Sequence, residues 1–230
     1  MSARYAIYYA PKPDDPFGIR AAQWLGRNPF SCEKLLRPNL AELSSIDLDE
    51  MTRSPRHYGF HATLKAPFEL HSEKTEAELI AQVKDFCARR EGFVASIAPR
   101  TLGAFIAFQL TSNEVAMHSL HEAVVRHFEP FRAQLSDADM IRRRKAQLSV
   151  TQEARLLEFG YPYIFDEFRF HMTLTSEIID AELRNKILDV LAEHFRDFIG
   201  EHHFWGLSIF KQAQRDADFN IIHQSSFGGW

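Results

Sequence analysis

Residues 58–70 read YGFHATLKAPFEL and residues 168–175 read FRFHMTLT, so the tetrapeptide His-x-Thr-Leu occurs twice, at His61–Leu64 and at His171–Leu174. With 11 His, 8 Thr and 21 Leu among 230 residues, chance supplies about 0.03 copies of that pattern. The duplication is therefore a signal. Both segments alternate apolar with polar or small residues, the period of a strand with one buried face. Side chains at i and i+2 leave a strand on the same side, which places His61, Thr63 and Lys65 on one face and Phe60, Ala62 and Leu64 on the other. In the second copy Arg169, His171, Thr173 and Thr175 share the offered face, and Phe170, Met172 and Leu174 turn to the core.

Outward from the motifs, hydrophobic period and breaker residues predict strands at Tyr5–Ala10, Tyr58–Lys65, Phe93–Ala98, Thr101–Thr111, Phe168–Thr175, His203–Gln212 and Asp218–Gln224. Pro67 reads as a bend or the end of regular pairing, and Pro99 as the hairpin or corner between two strands. Helices are expected at Asp15–Leu25, Asn39–Ser45, Thr75–Arg90, Asn113–Phe131 and Asp180–Ile199, with an interrupted one over residues 136–159 and a loop through MTRSPRH at 51–57. A motif strand, a long amphipathic helix and two further strands occur in that order twice, from 58 and from 168. That order predicts an α+β chain, a single domain over 1–230 made of two related lobes. Each lobe is an antiparallel sheet backed by helices, with the motifs facing a central cleft.

Composition sets the class. At 45% hydrophobic and 25% charged, with 20 Phe, the chain can bury a substantial core, which excludes disorder, collagen and coiled coil. A net charge of -4 gives no field for holding DNA or another long duplex, so a small anionic ligand is the better fit. Cys32 and Cys87 are far apart, without metal-type spacing, and are expected as free thiols of a reducing compartment. The first residues show no basic and apolar signal pattern and no stretch is long enough for a membrane span, so the expected location is the cytoplasm, with no membrane partner.

Two imidazoles across a cleft suit a reaction in which a base takes a proton on one side of phosphorus while an acid gives one on the other. Threonine hydroxyls can donate to non-bridging oxygens, and a nearby cation offsets the charge that builds up. This logic calls for no metal and no cofactor. The residues resemble the 2H phosphoesterase superfamily, whose members carry two HxTx or HxSx motifs on a bilobal, pseudo-twofold cyclic phosphodiesterase (LigT-like) fold. More narrowly, RHYGFHATLKAPF at 56–68 and GYPYIFDEFRFHMTLT at 160–175 resemble its DUF1045 branch, described in terms of phosphonate metabolism. The resemblance implies that His61 and His171 are the catalytic pair and that Thr63 and Thr173 hold the phosphate. It leaves open which His is the base. Arg56, Tyr58, Lys65, Tyr161 and Arg169 stand in or beside the matching segments and are candidates for the pocket rim.

The implied activity is hydrolysis of a phosphodiester, expected to be cyclic, on a nucleotide or a ribose phosphate. The alternatives are a phosphate- or nucleotide-binding module without catalysis, and a 2′,3′-cyclic phosphodiesterase or ligase acting on an RNA end. The basic run Arg142–Lys145 reads first as a solvated helix face, with the grip of an anionic substrate as the sharper alternative. His118 and His121 have a helical spacing compatible with a metal but no acidic partner. The adjacent His202 and His203 point to opposite faces of a strand, so no metal ligands are assigned.

Overall fold

A computed structural model describes residues 3–229. Strands β1 (Arg4–Tyr9), β2 (Ala62–Glu69), β3 (Phe93–Leu102), β4 (Phe105–Leu110), β5 (His171–Thr173), β6 (Gly200–Phe204), β7 (Gly206–Gln212) and β8 (Phe219–Ser226) join in one antiparallel sheet. Its order is β6-β3-β4-β5-β2-β1-β7-β8. The helices are α1 (Pro16–Leu25), α2 (Leu48–Met51), α3 (Arg53–Tyr58), α4 (Glu76–Ala88), α5 (Glu114–His127), α6 (Asp137–Arg144), α7 (Val150–Phe159) and α8 (Ala181–His194). The class is α+β, with helices packed on a curled antiparallel sheet.

The two motif strands are central neighbours joined by a single register pair, Ala62 with Met172. On one side β2 continues into β1, β7 and β8, against which α4 packs; on the other β5 continues into β4, β3 and β6, against which α8 packs. The halves are exchanged in sequence, because β3 and β4 follow the first motif yet pair beside the second. Apolar residues of α1, α4, α5 and α8, including Trp24, Leu79, Val83, Leu120, Val124, Ile187 and Leu191, form one core with Ile7, Ala62, Leu64, Met172 and Leu174. The helices thus bury the apolar face of both motif strands. The Trp24 indole N–H donates to the Leu174 carbonyl at 2.8 Å and ties α1 to the end of the second motif.

Several elements differ from the sequence expectation, each for a local reason. The loop expected through MTRSPRH is α3, because Pro55 falls in its first turn, where a missing N–H costs nothing. Strand β2 starts at Ala62 rather than Tyr58 and runs through Pro67 to Glu69; register shifts against β1 absorb the proline as bulges. Pro99 makes neither a corner nor the hairpin turn. It pairs with Phe108 inside β3, beyond the last residue that β6 reaches, and the turn comes at Gly103, where φ is +59°. The helix expected over 136–159 is two, since Ser149 caps the start of α7 through a capping box with Gln152. The 39–45 helix is only a single turn at Ala41–Leu43, and β5 keeps three of the eight residues expected. Cys32 is exposed and Cys87 buried, both as free thiols. No helix among the described residues is long and apolar enough to cross a membrane.

Trp24→Phe removes the N–H bonded to Leu174 and leaves a buried carbonyl short of a partner. The expected loss is about 1–3 kcal/mol, read as a lowered urea midpoint with an unchanged slope; an unshifted midpoint would show that the bond is dispensable.

Candidate active site

The exposed side of the β2–β5 seam carries the two motifs. Because Ala62 pairs with Met172 antiparallel, the next register positions set His61 opposite Thr173 and Thr63 opposite His171. Each imidazole therefore faces the threonine of the other motif. His61, Thr63, His171 and Thr173 line one cavity of about 430 Å³, together with Arg4, Tyr8, Tyr58, Arg142, Arg143 and Tyr161.

Both imidazoles are held in the same way. His61 Nδ1–H donates to the Gly59 carbonyl at 2.8 Å, and His171 Nδ1–H to the Arg169 carbonyl at 2.7 Å. A carbonyl only accepts, so each neutral ring is fixed with its proton on Nδ1 and its lone pair on Nε2. Thr63 Oγ1 lies 3.2 Å from His61 Nε2. Aromatic rings enclose His61: Tyr8 stacks on it with centroids 3.9 Å apart, and Tyr58 lies at 5.9 Å. That burial lowers the His61 pKa to about 4, with repulsion from a charged His171 adding to the shift. Burial lowers His171 as well, opposed by its bond to Arg169.

The turn that presents His61 depends on glycine. Gly59 has φ +79° and ψ 168°, a region that only glycine occupies at ease, and a Cβ there would meet the Pro29 side chain at 2.9 Å. Gly59→Ala is expected to cost about 1–3 kcal/mol, read by denaturant unfolding, and to disturb the carbonyl that holds His61. Unchanged stability would contradict this reading of the turn.

The structure brings together His61, Thr63, His171, Thr173, Tyr58 and Tyr161. Arg169 lines an adjoining cavity of about 630 Å³ that shares Thr63, Ala66, Tyr161 and His171 with the first and adds Phe105, Tyr163, Asp166 and Phe168. Two candidates lie elsewhere. Arg56 is turned to Asp49 at 2.5 Å. Lys65 is a correction: only 4% exposed, its Nζ bonds Glu129 at 2.7 Å and the Val125 carbonyl at 3.2 Å. The cause is a bulge. Tyr8 stands opposite Thr63, but the next pair is Ile7 with Lys65, so the register shift carries Lys65 onto the core face of Ile7. Thr175, also expected on the offered face, is buried, with Oγ1 accepting from the Ile106 N–H.

Sequence reasoning missed Arg4 and Tyr8. They lie in β1, far from either motif, and only the β1–β2 pairing brings them to the cavity. The basic run contributes Arg142 and Arg143, whereas Arg144 is committed to Glu153. His121 stacks on Phe168 at 3.9 Å and His202 bonds the Tyr9 hydroxyl at 2.6 Å. Among the described residues no group of three or more His, Cys, Asp or Glu is placed to hold a metal ion.

Lys65→Met is expected to lower stability by less than the about 3–5 kcal/mol of a fully broken buried pair, since Glu129 keeps Arg132 at 2.6 Å. Its affinity for inorganic phosphate, measured by calorimetry, is expected to equal that of wild type; a marked loss would return Lys65 to the rim.

The family described as "Protein of unknown function (DUF1045)" matches residues 63–220. Over 195 residues the chain is 36% identical to a Janthinobacterium sp. (strain Marseille) protein named ribose 1,5-bisphosphate phosphokinase PhnN, covering 84% of this chain and 43% of that protein. A protein of the same name from Laribacter hongkongensis (strain HLHK9) is 29% identical over 218 residues, 95% of this chain and 50% of that one. The chain spans half or less of the length of these curated relatives. Among solved structures, TT0787 of Thermus thermophilus aligns with a TM-score of 0.46 at 10% identity over 98% of each chain. Usb1 of Kluyveromyces marxianus aligns with a TM-score of 0.39 at 7% identity over 96% of this chain and 98% of that one.

Proposed function

The chain belongs to the DUF1045 family, and from that premise and its two oriented histidines we propose that it is a 2H-type phosphoesterase that opens a cyclic phosphodiester of a ribose phosphate or nucleotide. The observation that carries the reading is the matched pair of imidazoles, each held by a carbonyl at Nδ1 with Nε2 toward the shared cavity. The relatives' names bear on the substrate, since a ribose bisphosphate is what opening a cyclic ribose phosphate that carries a second phosphate yields. The kinase activity in those names is not carried over. These 230 residues contain no Gly-x-x-x-x-Gly-Lys-Ser/Thr loop, and half or more of each relative lies outside the match.

In the proposed reaction His61 is the base, because its aromatic enclosure keeps it neutral most strongly. Its Nε2 takes a proton from water as the water oxygen bonds to phosphorus. The P–O bond to one sugar oxygen breaks, and that oxygen takes the Nε2 proton of a charged His171. A monoester and a free hydroxyl result, and solvent exchange resets the two rings. Thr63 and Thr173 donate to the non-bridging oxygens, and the Thr63 hydroxyl, which in the free protein donates to His61 Nε2, turns to a phosphate oxygen and frees that lone pair for water. An anion bound between the rings raises the His171 pKa and so supplies the acid that burial alone disfavours. Every proton is moved by a side chain, so turnover is expected to survive EDTA.

Turnover of ribose 1,2-cyclic and nucleoside 2′,3′-cyclic phosphates by wild type, His61→Ala and His171→Ala, each in EDTA, tests the reading. Each variant is expected to lose about 100-fold or more in kcat. Retained activity in either variant would contradict the two-histidine mechanism, and binding by wild type without turnover would favour a phosphate-binding module.

The pH dependence has a definite sign. On kcat/KM, which reports the free enzyme, activity rises as His61 loses its proton near pH 4 and falls as His171 loses its proton below the ordinary histidine value. A bell with its maximum below pH 6.5 is expected, and a flat profile between about pH 5 and 9 would contradict the mechanism.

A further inference from the structure

A phosphodiester carries one negative charge, and the two threonines and the acid histidine already address it. The wall of the same cavity also holds Arg4 from β1 and Arg142 and Arg143 from α6. Their partners do not neutralise them. Arg4 is held through Nε at 2.8 Å, and through a second nitrogen, by the neutral amide oxygen of Gln212. The Arg143 guanidinium lies over the Tyr161 ring at 4.6 Å, and its Nε is buried without a hydrogen-bond partner. Among the described residues neither Arg4 nor Arg143 forms an ion pair with a carboxylate, whereas Arg142 pairs with Asp139 at 2.8 Å. Asp139 is shared with Arg215, which also reaches Glu69. Among the described residues four guanidiniums thus meet two carboxylates, a surplus of two positive charges beside a pocket whose reaction needs at most one.

We propose that Arg4, Arg142 and Arg143 form a second anion subsite, so that the substrate is a small phosphodiester carrying a separate phosphomonoester on the same molecule. A phosphomonoester bears a charge of about −1.5 to −2 at neutral pH, which matches the surplus, and guanidiniums grip phosphate through paired N–H donors. Burial and the neighbouring Arg215 and Arg142 disfavour the charge on Arg4, a cost that a bound dianion relieves. Arg4, Arg142 and Arg143 also line the next recess along the wall, but there Glu69 and Asp139 join them, and these carboxylates repel an anion and leave the motif cavity as its place. The cavity's volume of about 430 Å³ lies within the range of pockets for small molecules. The subsite rests on the phosphoesterase reading for its second half, the diester, but not for the monoester.

The test compares matched pairs: ribose 1,2-cyclic phosphate with and without a 5-phosphate, and a nucleoside 2′,3′-cyclic phosphate with and without a 5′-phosphate. In at least one pair the phosphorylated member is expected to have a kcat/KM about 100-fold higher, two charge-assisted contacts' worth, mostly through KM. The pair that shows it tells a sugar phosphate from a nucleotide. Arg4→Gln with Arg143→Gln is expected to collapse that preference. Equal kcat/KM within every pair that turns over would overturn the subsite while leaving the phosphoesterase intact. If no compound turns over, the phosphoesterase reading has failed, and calorimetry with ribose 5-phosphate decides the subsite alone: binding by wild type that weakens in the double variant supports it, and absent or unchanged binding overturns it. The wild-type comparisons need no variant, and Arg142→Gln on the exposed side of α6 replaces the pair should the double variant not fold.

Discussion

The pairing of Ala62 with Met172 is the constraint on which the rest of the arrangement depends. It joins the two halves of the sheet at the residue between His and Thr in both motifs, so one antiparallel contact sets each imidazole across from the other motif's threonine. The core enforces the register. Ala62, Leu64, Met172 and Leu174 are fully buried under the helices, and a slip by one residue would turn histidine and threonine into that core and the apolar side chains out of it. Packing on one face thus specifies the chemistry on the other.

Charge and burial act together on the offered face. Aromatic rings from β1 and α3 desolvate His61, a charged His171 would repel it, and burial lowers His171 as well, so the unliganded site favours neutral imidazoles. A bound phosphate reverses that balance, because negative charge between the rings stabilises an imidazolium. Protonation of the acid and binding of the anion are then linked. A ligand that fills the cavity creates the protonation state that its own hydrolysis requires.

Much of this was legible in the sequence, and the limits have physical causes. The motif pair, its strand character and the shared face of His61 with Thr63 follow from a period of two, which holds as long as pairing is regular. The bulge that turns Lys65 onto the core face depends on how β2 meets β1, and no residue near Lys65 announces it. Arg4 and Tyr8 were invisible because strand neighbours far apart in sequence leave no local pattern. Pro67 sits at a bulge, which is the bend its reading allowed, whereas Pro99 misled, because it lies within β3 beyond the reach of β6, where it needs no N–H. The basic run was visible as composition, but only the placement of α6 separates Arg142 and Arg143, which reach the cavity, from Arg144, which does not.

The central claim is that water activated at one histidine attacks phosphorus while the other histidine protonates the sugar oxygen that leaves. Turnover of a cyclic ribose phosphate in ¹⁸O-water, followed by ³¹P NMR, tests it most directly. The account predicts one heavy oxygen on phosphorus in the product, seen as an isotope-shifted phosphorus resonance, in wild type and with EDTA present. Label on the sugar carbon instead, or a wild-type protein that binds the cyclic phosphate and leaves it closed, would contradict it.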